Sequence, residues 1–182
     1  MEFLCYHRDR PGSLQLRDQL GETHWSYMDR FERELIARGP TLAADGETAT
    51  GSIHVVDVRD AAAARSFAFE EPLYQAGAFR DVLVRRWRNA LGRTMWEAPT
   101  LRGDEPGLLL LGFGEGPAVD LEPRADKDAL IAYGPLLSDD GSAWLGTAMV
   151  LRAVDPTSAR ALLTLDRYAA VEVHSWEPGG RR

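Results

Sequence analysis

Apolar residues in this chain come in short runs, some at a two-residue and some at a three-to-four-residue period, separated by glycine, proline and aspartate. Phe3 to Tyr6 is a strand's worth of apolar chain, followed by a turn-rich stretch from His7 to Ser13. A helical turn is expected over Leu14 to Gln19, and a clear helix from about Thr23 to Ala37. At roughly 100° per residue, Met28, Phe31 and Leu35 share one face with His24. Gly39-Pro40 would stop that helix, with a short strand over Thr41 to Ala43. Gly51 to Val58 is rich in β-branched residues and reads as a strand. Asp60 is then an N-cap for a helix from Ala61 to Phe69, closed by Glu71-Pro72. Asp81 to Trp87 alternates as another strand.

Further along, Leu108 to Leu111, Ala148 to Ala153 and Val171 to Trp176 read as strands. A short helix is expected over Arg124 to Ala132, and another from Asp155-Pro156 to Leu163. Gly112, Gly114 and Gly116 read as an irregular strand exit, and Glu177 to Arg182 as a frayed tail. Leu35-Ile36-Ala37-Arg38-Gly39-Pro40-Thr41-Leu42-Ala43-Ala44-Asp45-Gly46 returns at a constant offset as Leu130-Ile131-Ala132-Tyr133-Gly134-Pro135-Leu136-Leu137-Ser138-Asp139-Asp140-Gly141. The same register places Gly51 on Gly146, Val55 on Val150 and Asp155 on Asp60. A repeat held in one register over more than about thirty residues marks a tandem duplication.

The duplication predicts a first unit over residues 1–97, a connector over 98–107 and a second unit over 108–182. Two βαβ-like halves with antiparallel pairings point to α+β, ferredoxin-like (split βαβ) units. Each such sheet has one face under helices and one bare apolar face. Packed sheet-to-sheet, the bare faces bury each other, giving an α+β barrel within one chain, a pseudo-dimer. Exposed sheet edges would leave room for a further homodimer.

Composition narrows the function. The chain has 182 residues and a formal net charge of −7, which argues against a nucleic-acid partner. No apolar run approaches the roughly 18 residues of a membrane span. One cysteine and an N-terminus without a secretory pattern fit a cytoplasmic protein. Cys5 reads as a small buried hydrophobe. No spacing among the four histidines and Cys5 suggests a metal site, so none is expected. His54 and His174 lie on strands at unrelated positions.

Several residues carry a family resemblance: Tyr6, Ser13-Leu14 with Arg17, His24, Gly39-Pro40, Gly51, and Glu71-Pro72 followed by Ala76-Gly77. On these the first half resembles the YCII-related family of small bacterial proteins, within the dimeric α+β barrel superfamily. Where the family has Asp-Pro, this chain has Glu71-Pro72, which lengthens the arm by one methylene. The resemblance implies a histidine–carboxylate pair, His24 and Glu71, in a pocket by the sheet. It implies small-molecule chemistry of the dehydrochlorinase or muconolactone-isomerase type, without a cofactor.

General acid–base chemistry needs a group that exchanges a proton near neutral pH and a partner that orients it. His24 suits the first role and Glu71 the second. Tyr6 and Arg17 are candidates for binding a polar or anionic ligand, and Trp25, Met28 and Phe79 for lining a pocket. The second half has Val119 where the first has His24, and Asp166 where it has Glu71, so one of two ancestral sites reads as lost. The expected function is a cofactor-independent isomerisation or elimination on a small cyclic or aromatic acid. The alternative is a non-catalytic small-ligand or regulatory module.

Overall fold

A computed structural model of the chain describes residues 1–102, 106–118, 123, 125–153, 155–163 and 165–180. Strands β1 (Glu2–Asp9), β2 (Leu35–Leu42), β3 (Ala49–Asp57) and β4 (Phe79–Trp87) come from the first half of the chain. Strands β5 (Gly107–Pro117), β6 (Leu130–Leu137), β7 (Ala143–Arg152) and β8 (Ala170–Trp176) come from the second. All pairings are antiparallel, and they close one barrel in the order β1-β3-β2-β8-β5-β7-β6-β4. Helices α1 (Leu14–Asp29), α2 (Ala61–Phe69) and the single turn α3 (Pro72–Gln75) accompany the first four strands, and α4 (Pro156–Arg160) the last four. Among the described residues no helix is long and apolar enough to cross a membrane.

Within each half the strand order is that of a split βαβ unit: β4-β1-β3-β2 and β8-β5-β7-β6. The halves meet at two seams. At one, Thr41 pairs with Trp176; at the other, Leu136 pairs with Trp87. Thr41 and Leu136 are counterparts in the repeat, so the two seams are the same contact made twice. Each seam needs a glycine. A Cβ on Gly39 would strike the Glu177 carbonyl and the Trp176 indole, and one on Gly134 the Arg88 carbonyl and the Trp87 indole.

Alternation along the strands sorts side chains into three cores. Leu4, Tyr6, Ile53 and Val55 from the first half meet Leu109, Leu111, Ala148 and Val150 from the second inside the barrel, with Trp87 and Trp176. Phe3, Cys5 and Val56 face outward onto Met28, Ala64 and Phe67 of the first-half helices. Leu108, Leu110 and Met149 do the same beneath Ala159 and Leu163. The bare faces of the two sheets therefore cover each other, as the duplication predicts.

Several expectations need correction. The helix expected over Thr23 to Ala37 starts earlier and ends at Asp29, and Leu35 to Leu42 is strand β2. A short apolar run such as Leu35-Ile36-Ala37 suits helix or strand by periodicity alone, and pairing with β3 from Leu35↔Val56 onward decides it. Pro40, lacking an N–H, is accommodated because β8 forms ladder pairs with β2 only at Thr41 and Leu42. In the second half a 3-10 turn covers Lys127–Ala129 and Leu130 already begins β6, so no helix reaches Ala132; Arg124 lies outside the described residues. The glycines at 112, 114 and 116 belong to β5. His7 lies on β1, not in a turn. Ala98 and Leu101, expected in a connector, are buried in the barrel interior beside Met95.

Candidate active site

The centre of the site is set by two local rules. Glu71 precedes Pro72 in extended conformation and N-caps α3, its Oε2 accepting the Tyr74 N–H at 2.8 Å. That cap fixes the carboxylate, and Oε1 then accepts from His24 Nδ1 at 2.5 Å. Glu71 is 1% exposed. Burial pushes its pKa up, but the His24 hydrogen bond, the histidine's charge and the N–H groups of Leu73 and Tyr74 outweigh this, and the net shift is downward. With Nδ1 committed to Glu71, Nε2 of His24 is the nitrogen left for chemistry.

Beside the pair lies a cavity of about 230 Å³. An apolar cavity of about 150 Å³ holds benzene, so this one has room for a single substituted ring. His24, Arg17, Trp25 and Met28 line it from α1, Leu73 from α3, Ser52 and His54 from β3, and Arg38, Gly39 and Pro40 from β2. The remaining wall, Gly179 and Gly180, comes from the end of the second half. The stretch expected to fray is held down: Glu177 N–H donates to the Pro40 carbonyl and Gly179 N–H to the Arg38 carbonyl, each at 3.2 Å. The Glu177 carboxylate pairs with Arg152 at 3.2 Å.

Two arginines border the cavity. Arg17 is gripped by Asp9 through two contacts of 2.7 Å, and its Nη2 also donates to Ser52 Oγ at 3.0 Å. Arg38 is 5% exposed, and its backbone is the cross-strand partner of His54. Behind His24 lie two further imidazoles. The His24 and His54 rings are 5.8 Å apart, as are those of His54 and His7. His7 Nε2 donates to the Ala68 carbonyl at 2.9 Å. Burial holds the pKa of His54 well below the ordinary histidine value, and the nearby His7, His24, Arg38 and Arg17 push the same way. Burial also lowers His7, against the bond to Ala68.

Of the residues singled out from sequence, His24, Glu71, Arg17, Trp25 and Met28 come together here. Tyr6 and Phe79 are not among the cavity's lining residues. Tyr6 points into the barrel, its hydroxyl 3.3 Å from Thr41 Oγ1 and its ring 5.4 Å from that of His174. Phe79 lies behind the site, 4.8 Å from the His7 ring and 5.6 Å from the Arg17 guanidinium. The reading of the sequence missed His54, Arg38, Ser52 and the two C-terminal glycines. One signal was available: His54, like Ser52 two residues before it, falls on the helix-facing side of β3 by simple alternation.

The second half has a different interior at the corresponding place. Pairing of Leu109 with Val150 mirrors that of Leu4 with Val55, which makes Gly112 the counterpart of His7 and Met149 that of His54. Tyr168 packs on Gly112, and its hydroxyl donates to Thr147 Oγ1 at 2.9 Å. Asp166 lies in a 3-10 turn, Leu165–Arg167, and borders a separate cleft with Arg85 and Arg167. Val119 lies outside the described residues.

Residues 1–88 match the family model of the YCII-related domain. An uncharacterized protein of Haemophilus influenzae is 27% identical over 95 residues, which is 48% of this chain and 97% of that protein. Among solved structures, a 5-chloro-2-hydroxyhydroquinone dehydrochlorinase from Burkholderia phenoliruptrix AC1100, in complex with 2,5-dihydroxybenzoquinone, is 34% identical, covers 50% of this chain and 96% of its own, and gives a TM-score of 0.47. A monooxygenase-like protein from Lactobacillus acidophilus NCFM covers 98% of this chain and 96% of its own at 9% identity, with a TM-score of 0.48.

Proposed function

We propose, starting from the membership of this chain in the YCII-related family through residues 1–88, that it is a cofactor-independent enzyme of acid–base chemistry on a small cyclic or aromatic acid. The observation that carries the reading is the 2.5 Å contact between His24 Nδ1 and a buried carboxylate, beside an open cavity. Glu71 orients the ring and stabilises the imidazolium that forms when Nε2 takes a proton. The reaction class is isomerisation or elimination. His24 removes a proton from a carbon or hydroxyl of the substrate, and the electron pair moves into the ring system as an enolate. It then either returns to another carbon that His24 reprotonates, or expels a leaving group such as chloride from the adjacent carbon. In the second case the proton on His24 passes to water.

Arg17 and Arg38 offer N–H groups at the edge of the cavity to a polar or anionic substituent, and Trp25 and Met28 supply apolar contact for the substrate's ring. In this reading residues 1–97 are the unit that carries the acid–base pair. Residues 108–182 form a unit without one, and residues 98–107 connect the two.

The test is turnover of a panel containing 5-chloro-2-hydroxyhydroquinone, catechols and unsaturated lactones, with and without His24→Gln. Glutamine keeps an N–H near Glu71 but has no nitrogen that can take up a proton near neutral pH. Turnover of one member, with kcat reduced about 10²–10⁴-fold in the variant, is expected for a general acid–base residue. Binding without turnover by the unaltered protein would instead favour the non-catalytic ligand-binding module.

A further inference from the structure

We propose that His54 is a neutral hydrogen-bond donor for the oxygen on which negative charge collects when His24 acts. The two imidazoles would thus divide the chemistry, one moving the proton and the other holding the charge. The proposal rests on the acid–base reading of His24 above and adds a residue to it.

Three observations carry it. His54 lines the same cavity as His24, its ring 5.8 Å away, so one small ring can meet both. The residue is 3% exposed, and its Nδ1 is sealed from solvent with no hydrogen-bond partner. A neutral imidazole carries one N–H and one bare nitrogen. A proton on the sealed Nδ1 would have no acceptor and would cost the penalty of an unsatisfied buried donor, so we place the proton on Nε2. Finally, the surroundings disfavour a charged ring: Arg38 is its cross-strand partner, and the His7 ring is 5.8 Å away on the other side.

A neutral donor suits the task. It stabilises an enolate oxygen without giving up its proton, so the proton count stays with His24. The electron pair released by proton removal delocalises onto the substrate oxygen, and the Nε2–H of His54 bonds to that oxygen while its own N–H stays intact. A preorganised donor of this kind typically contributes about 10²–10³ in kcat.

The deciding measurement needs no substrate. Long-range ¹⁵N–¹H correlation of the imidazoles in the full chain at pH 7, with His54 assigned by loss of its signals in His54→Gln, reads the tautomer directly. A neutral ring protonated on Nε2 is expected; a ring protonated on Nδ1, or on both nitrogens, overturns the proposal. The second measurement is titration of 2,5-dihydroxybenzoquinone into the unaltered protein, His54→Phe and His54→Gln. Phenylalanine should weaken binding by about tenfold or more, and glutamine, which keeps an N–H, should restore most of it. Equal binding by His54→Phe and the unaltered protein would also overturn the proposal. Absence of quinone binding by the unaltered protein counts against the ligand class proposed for His24 and Glu71, and the tautomer still decides the donor.

Discussion

Acid should unfold this protein through its buried histidines before it touches the carboxylates. His7 and His54 are 0% and 3% exposed, and burial lowers the pKa of each. In the unfolded chain both titrate at about 6.5. As pH falls through that value the unfolded state takes up two protons that the folded state refuses, so stability falls. Each such ring contributes a slope of up to about 1.4 kcal/mol per pH unit, and the two together up to about 2.7. The loss begins near the unfolded value and continues down to the folded ones. Glu71 acts in a lower window. Its folded pKa is depressed, so its contribution is complete above the ordinary carboxylate value of 4.5 and is lost as pH falls through the folded value. The assay is urea unfolding at pH 7.5, 6.5 and 5.5, with His54→Gln alongside. The unaltered protein should lose stability steeply below pH 6.5, and the variant should show about half the slope. Stability that is flat or rises between pH 7 and 5.5 would refute the reasoning, because it would mean that the two rings charge inside the fold.

Three further outcomes follow from the geometry. Gly134→Ala or Gly39→Ala should destabilise the barrel by about 1–3 kcal/mol, since the new Cβ meets a backbone carbonyl and a tryptophan at a seam; a shift in Tm of a few degrees is the readout. Gly180→Ala should change the site more than the fold, because a Cβ there collides with the Arg38 guanidinium. Gly180 also has a φ of +90°, so alanine strains its own backbone, and a small fall in Tm is expected together with displacement of the Arg38 side chain at the cavity wall. Glu71→Gln should cost about 1–3 kcal/mol at pH 7, measured by urea unfolding, by replacing the charged acceptor that both His24 and the Tyr74 N–H use.

Much of the fold was legible because the information was local or repeated. Helix α2 falls over Ala61–Phe69 as expected, because Asp60 caps it at Ala63 N–H and Glu71-Pro72 follows it. The register shared by 35–46 and 130–141 maps β2 onto β6, and with them the two seams. The failures were also local. Nothing within Leu35-Ile36-Ala37 tells a helix end from a strand, and the deciding partner, Val56, lies on the next strand.

From the sequence alone came the duplication and the α+β class, because repeat register and periodicity can be read along one dimension, while the candidates His24 and Glu71 came from the resemblance of the first half to the YCII-related family. The tertiary structure decided what surrounds them. It put His54 and Arg38 on neighbouring strands, and brought Gly179 from the far end of the chain onto the Arg38 carbonyl. It also packed Tyr168 onto the glycine that stands where the first half has His7. These contacts join residues up to about 140 positions apart through barrel closure, and closure depends on two sheets burying one another's apolar faces. No window of sequence contains that condition.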